Sequence, residues 1–374
     1  MRSITKSTLT VVACLLVAGV MTACSGKAKR QTQEGTPAQS VEAQQLLSNL
    51  KARTAQGFMF GHHDDPMYGI GWVGDEERSD VKSVCGDYPG VMSFDLGELE
   101  LGGDASLDKV PFARIRQEVV RQYERGGLAS LSWHVRNPKT GGTAWDNSDS
   151  TVVRSILPGG ECHEKFAGWL RALADFLNSL QMADGTKVPV LFRPWHEHTG
   201  SWFWWGQALC TDDEYKALWR MTADTLQAHG ANHLLYAYSP GSEPQDTIQY
   251  LQRWPGDDIV DVVGFDTYQF DREAFLTGLD RMLQLTTAVA QSHQKVAAIT
   301  EIGYESIPDA TWWTGTLLPA VEQYPLSYVL VWRNAHDKEN HYYAPYPGHP
   351  SAADFVEFYK RPNTLFAADA HLNE

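Results

Sequence analysis

The sequence predicts an α/β protein folded as a single (β/α)8 TIM barrel, on three observations. Short strand-like runs alternate with longer helical patterns from residue 41 to the end of the 374-residue chain. No internal repeat and no linker divides that region. Polar residue types gather just after the strand-like runs, the rim where barrels of this kind place their functional loops.

The strand candidates are GFMFG (57–61), GVMSFD (90–95), GLASLSWH (127–134), VPVLFRP (188–194), LLYAYSP (234–240), VDVVGFD (260–266), KVAAIT (295–300) and LSYVLVW (326–332). They are short, rich in β-branched or aromatic residues, and bounded by Gly, Pro or Asp. Between them lie helical patterns such as FARIRQEVVRQYER (112–125) and EKFAGWLRALADFLNSL (164–180). The latter sets Phe166, Leu170, Leu173, Phe176, Leu177 and Leu180 near one face at three- and four-residue steps. The competing architecture is an open doubly wound sheet, but no Gly-rich phosphate turn follows the first strand.

The N-terminus reads differently. Arg2 and Lys6 precede the apolar run LTVVACLLVAGVM, followed by Thr22-Ala23-Cys24. A basic start, a run too short for a comfortable membrane span and small residues describe an export signal over 1–23. The T-A-C ending resembles a bacterial lipobox, although Met21 stands where Leu is commonest. Cys24 is therefore the expected lipid anchor of an exported lipoprotein on the periplasmic face of an outer membrane. Polar residues 24–40 read as a flexible tether.

Without Arg2 and Lys6, 29 basic residues face 46 acidic ones, a formal charge of −17. That balance argues against a nucleic-acid partner. Beyond Cys24 the cysteines are Cys85, Cys162 and Cys210, which lack CxxC spacing and the look of a zinc site. Cys162 and Cys210 are the pair to test for a disulfide.

The rim carries the chemistry. His62, His63, Asp64 and Asp65 follow the first strand; Asp95, Glu98 and Glu100 the second; His134, Arg136 and Asn137 the third. FRPWHEHTGSWFWWG (192–206) ends the fourth, setting Glu197 among four tryptophans, and Glu301 of ITEIG stands at the tip of the seventh. A single exposed Glu is ordinarily a solvated charge. Two across a barrel mouth suit glycoside hydrolysis, one protonating the leaving oxygen while the other attacks the sugar carbon or activates water. Such work needs one carboxyl pKa raised and the other kept low, and Arg193 stands ready to hold a neighbouring carboxylate ionised. Residues 41–374 thus read as a catalytic domain.

Indole faces pack on the C–H faces of pyranose rings, so Trp145, Trp202, Trp204, Trp205 and Trp332 are candidate platforms, Trp202 and Trp332 foremost. In a run such as WFWW some rings must turn inward. A metal site is the rival for the histidines, but His62 and His63 alternate in direction along a strand. His134 and His196 read better as neutral donors, and no metal or cofactor is expected. Asp95 and Asp266 could bind a hydroxyl, orient a neighbour or cap a loop.

The ordered motifs GHHDD, SWHVRNPKTGGTAWD, FRPWHEHTGSWFWWG, YSPG, RWPGDDIVDVVGFDTY, ITEIG, and VWRNAH with YYAPYPG resemble glycoside hydrolase family 26, over roughly residues 41 to 366. That family consists chiefly of β-1,4-mannanases. The resemblance implies a retaining mechanism with Glu197 as acid/base and Glu301 as nucleophile, acting on β-mannan or manno-oligosaccharides. It places Tyr268 of Asp266-Thr267-Tyr268 on the nucleophile, His134, Arg193 and His196 near the cleavage point, Trp202 and Trp332 as aromatic walls, and Arg333 as a more distal sugar contact. The chain departs at His198, where Met, Leu or Phe is commoner. Two alternatives stay open: the same chemistry on xylan or mixed-linkage glucan, and a non-catalytic oligosaccharide-binding lipoprotein. A monomer is expected.

Overall fold

The computed structural model describes residues 39–374; the export signal, Cys24 and all but the end of the tether lie outside them. Eight parallel strands close into a barrel: β1 (Phe58–His63), β2 (Val91–Asp95), β3 (Leu128–Ser132), β4 (Val190–Arg193), β5 (Leu234–Tyr238), β6, β7 (Val296–Gly303) and β8 (Leu326–Val331). β6 is the one divided strand. Val262–Val263 pairs with β5 and β7, and Asp266–Tyr268 pairs with β7 alone. Closure comes from β8, which pairs with both β7 and β1. The doubly wound alternative is thereby excluded.

Alternation along each strand sorts the side chains. Met59, Val91, Leu128, Leu191, Leu235, Val262, Val296 and Tyr328 form one inner cluster, with Ala43, Leu46 and Leu50 of the helix Val41–Arg53 plugging its base. Phe58, Phe60, Met92, Phe94, Leu131, Val190 and Phe192 belong to the outer cluster beneath the surrounding helices. One step above the inner layer stand Gly61, Ser93, Ser130 and Arg193, small or polar residues that leave the upper barrel open. Helix Phe112–Glu124 and helix His163–Asn178 occupy the predicted positions, and the second buries Phe166, Leu170, Leu173, Phe176 and Leu177.

β7 breaks the alternation where it matters. Its register against β8 shifts between Ala297 and Ile299 and again between Ile299 and Ile302. Ile299 and Ile302, three apart, both join the outer cluster. The irregularity, a bulge in effect, brings Glu301 to the barrel mouth.

Cys85, Cys162 and Cys210 are all free thiols, so the suggested Cys162–Cys210 bridge is not formed. Cys210 instead lies against the Arg253 guanidinium, its sulfur 3.2 Å from Nη2. Among the described residues no helix is long and apolar enough to cross a membrane.

Candidate active site

Strands β4, β6 and β7 bring four ionisable side chains together. Arg193, buried, donates through Nη1 to Asp266 Oδ2 at 2.8 Å and through Nη2 to Glu301 Oε1. The Tyr268 hydroxyl donates to Glu301 Oε2 at 2.7 Å, so both Glu301 oxygens are engaged. Asp266 also accepts from Thr300 Oγ1 at 2.6 Å. One carboxyl oxygen each from Glu197, Asp266 and Glu301 lie within 4.8 Å of one another.

Glu197 occupies a different kind of position. Its backbone sits in the left-handed region at φ 52°, as does Trp195 at φ 55°, a strain that surrounding structure must over-determine. The supports are visible. Glu197 N–H donates to Ser239 O at 2.8 Å, Tyr215 Oη to Trp195 O at 2.7 Å, and Trp205 Nε1 to His196 O at 2.9 Å. Arg253, 2% exposed, reaches His198 O, Trp205 O and Cys210 O at 3.1, 3.2 and 2.5 Å and pairs with Asp212 at 3.1 Å. Arg253 opens the RWPGDDIVDVVGFDTY motif, yet nothing in that run marks its side chain for this role.

Electrostatics separate the two glutamates. Burial pushes the Glu197 carboxyl well above its usual range, and the negative charges of Asp266 and Glu301 add to the push; the 2.7 Å bond from Trp202 Nε1 opposes it. Asp266 is raised by burial too, and by Glu301, against the pull of Arg193. Arg193 sits across the shared space from Glu197 but touches only the other two carboxylates.

The histidines behave unequally. Burial would depress His134, yet Asp95, 2.6 Å from its Nδ1, raises it. Burial also works against ionised Asp95, but the charge and hydrogen bond of His134, with the Ser132 hydroxyl and Gly97 N–H, hold it below the usual carboxylate range. The buried Asp95 carboxylate thus favours protonation of His134, against the reading of it as a neutral donor. His196, 3.1 Å away between Nε2 atoms, is lowered by burial, Arg193 and His134, which favours its neutral form.

The aromatic candidates divide. Trp202 and Trp145 are 38% and 48% exposed, whereas Trp204 and Trp205 are fully buried and serve as the floor beneath the rim. Trp145 stacks on His134 at 5.0 Å and Trp332 on His63 at 4.1 Å, so each backs a histidine and turns its remaining surface outward. Arg333 lies apart from the carboxylates, paired with Asp108 at 3.2 Å and near the Tyr68 hydroxyl at 3.3 Å. Beside it, Lys109 and Asp337 join the loops after β2 and β8 at 3.0 Å.

His62 and His63 take separate partners, Asp65 at 2.7 Å and Ser93 at 2.6 Å. Among the described residues, two clusters have donor atoms close enough to share a cation: His63 with Asp64 and Asp108, and Glu197 with Asp266 and Glu301. In each a guanidinium, from Arg333 or Arg193, already supplies the positive charge.

A barrel whose rim presents two close carboxylates, a buried arginine and exposed indoles has the site of a barrel glycosidase. Residues 35–346 match the model of glycosyl hydrolase family 26, and the chain belongs to that family. It is 59% identical to a GH26 β-mannanase from Bacteroides ovatus, with a TM-score of 0.88, covering 89% of this chain and 97% of that one. It is 33% identical to a Cellulomonas fimi endo-β-1,4-mannanase double mutant, with a TM-score of 0.82, covering 90% of this chain and 78% of that one. A mannan endo-1,4-β-mannosidase from Bifidobacterium adolescentis is 30% identical over 88% of this chain. The chain spans 35% of that relative's length, and 55% of the matching enzyme from Caldalkalibacillus mannanilyticus.

Proposed function

We propose that the chain hydrolyses β-1,4-mannosidic links with retention of configuration, Glu301 as nucleophile and Glu197 as acid/base. The observation that carries this is the carboxylate geometry. An oxygen of Glu197 and one of Glu301 lie within 4.8 Å of each other, which is compatible with the roughly 5–5.5 Å carboxyl separation of retaining enzymes and favours it over the roughly 6.5–9.5 Å of inverting ones.

The environments supply the roles. Glu301, between a guanidinium and a phenol, is presented as a carboxylate that can attack the anomeric carbon. Glu197, raised by burial and two neighbouring carboxylates, keeps a proton to give the departing glycosidic oxygen. Cleavage breaks the C–O bond and forms a glycosyl ester with Glu301. Glu197, now ionised, takes a proton from water, whose oxygen attacks the anomeric carbon and frees Glu301. Mannan as substrate is supported by the names of the relatives above.

The test is incubation of residues 39–374 with unbranched β-1,4-mannan, with product configuration followed by NMR. Short manno-oligosaccharides whose first-formed anomer is β support the reading; an α anomer or an untouched polymer overturns it. We infer further that Cys24 carries a lipid that tethers the domain to the periplasmic face of an outer membrane. The family match starting at residue 35, downstream of the proposed signal and within the tether, is compatible with this. Palmitate labelling that is lost in C24A is the expected result; label retained in C24A counts against it.

A further inference from the structure

The cleft does not end symmetrically. On the β8 side, Lys109 with Asp337, Arg333 with Asp108, and the Tyr68 ring 4.8 Å from His336 tie the surrounding loops together. On the β6 side a groove of about 710 Å³ opens between the loop after β5 and the helix Arg272–His293, lined by Ser242, Tyr268, Phe270, Glu273, Gly278 and Arg281. That volume falls in the roughly 300–1,000 Å³ range of ligand pockets.

Tyr268 belongs to both places, because its hydroxyl holds Glu301 while its residue lines the groove. The chain stays extended beyond it. Gln269 N–H donates to Gly303 O at 2.8 Å, continuing the pairing with β7, and its side chain is buried against Trp312 Nε1 at 2.8 Å. Gln269 turns to the core, and Phe270, in the bend that follows, lines the groove together with Tyr268. It is 91% exposed, the barest large apolar side chain among the described residues. An isolated exposed Phe would need no explanation. One on the lip of a groove whose wall includes Tyr268, the residue that holds Glu301, has one.

We propose that Phe270 is the stacking platform of an outer sugar-binding subsite that lengthens the cleft on its β6 side. Its occupant is a further unit of the substrate polysaccharide, a pyranose whose C–H face rests on the phenyl ring while Ser242 and Glu273 offer hydroxyl partners. The inference rests on the proposed polysaccharide hydrolysis.

The experiment is calorimetric titration of E301Q and of F270A/E301Q with mannobiose and mannohexaose. The loss of one aromatic platform should weaken mannohexaose binding about three- to tenfold and leave mannobiose unchanged, with F270W/E301Q restoring it. Equal mannohexaose affinity with and without Phe270, or a loss as large for mannobiose, overturns the subsite. If E301Q binds neither sugar and the wild type leaves mannan intact, the failure is that of the proposed function. Melting temperature should not move, because the ring contributes little to the core.

Discussion

Glu197 and Glu301 face each other across one cleft but are held by unlike means. Glu301 lies within β7, fixed by ladder bonds to β6 and by two side-chain donors on its own oxygens. Glu197 lies on a loop with left-handed backbone, fixed from beneath through carbonyls of its neighbours. Direct charge pairing suits a group that must stay ionised. The acid/base must change protonation in each half of the reaction, and a guanidinium on its oxygens would trap it as the anion. Support through the backbone fixes position without fixing charge.

Removing the two carboxyls gives the largest effects and separates the roles. E301A should lose on the order of 10⁴-fold or more in kcat, as expected for a covalent nucleophile. E197A should lose about 10²–10⁴-fold on mannan but much less on an aryl mannobioside, whose leaving group needs no proton. Azide should rescue E197A as a glycosyl azide of retained configuration. Equal losses for both variants on both substrates would erase the proposed distinction.

Arg253 tests the indirect support. R253M removes the guanidinium that donates to the carbonyls of His198, Trp205, Cys210 and Thr211 and should cost about 3 kcal/mol or more of stability, measured by urea unfolding. In the protein that remains folded, kcat on mannan should fall about tenfold with little change in KM, as a small misplacement of a positioned acid would cause. The same variant should cleave the aryl mannobioside almost normally. A loss of equal size on both substrates would mean that Arg253 supports the barrel and not the acid/base loop.

Much of this was legible in the sequence because barrel strands announce themselves by apolar runs and by the polar residues just past them. Glu301, Arg193 and Asp266 were read from such positions. The bulge that turns Glu301 into the mouth was not legible, since strand alternation alone makes no provision for two successive residues on one side. WFWW shows a second limit. Composition marks four aromatic rings, yet only the folded loop decides that Trp202 meets Glu197 while Trp204 and Trp205 donate to Val135 O and His196 O below. Arg253 stood in a quoted motif, but its role was not legible because its partners are mostly carbonyls, which every residue has.

The raised pKa of Glu197 gives a smaller and signed effect on stability. The folded state binds this proton more tightly than the unfolded chain does, so its contribution is fully present below the unfolded carboxylate pKa of about 4.3 and is lost as pH rises through the folded value. E197Q removes the charge that burial and Asp266 oppose. Its melting temperature should exceed that of the wild type at pH 7, with the gap closing as pH falls towards 4. A gap that is constant with pH would place the strain in the loop backbone rather than in the charge.

His198 makes the finest test of the same loop. It is fully buried, its ring 4.6 and 4.8 Å from the rings of Tyr215 and Tyr238, and neither ring nitrogen has a hydrogen-bond partner. Burial, aided by the Arg253 charge, lowers its pKa well below the ordinary value. A His depressed on folding contributes stability above its unfolded pKa, near 6.5, and loses it as pH falls towards the folded value. H198L fills similar space without the two unmet polar atoms. It should gain about 1–3 kcal/mol, the gain should grow below pH 6.5, and kcat on mannan should stay within about twofold. Retained activity would show that the loop needs a filled space behind Glu197 and no particular chemistry there, whereas a loss like that of R253M would give His198 a share in positioning the acid.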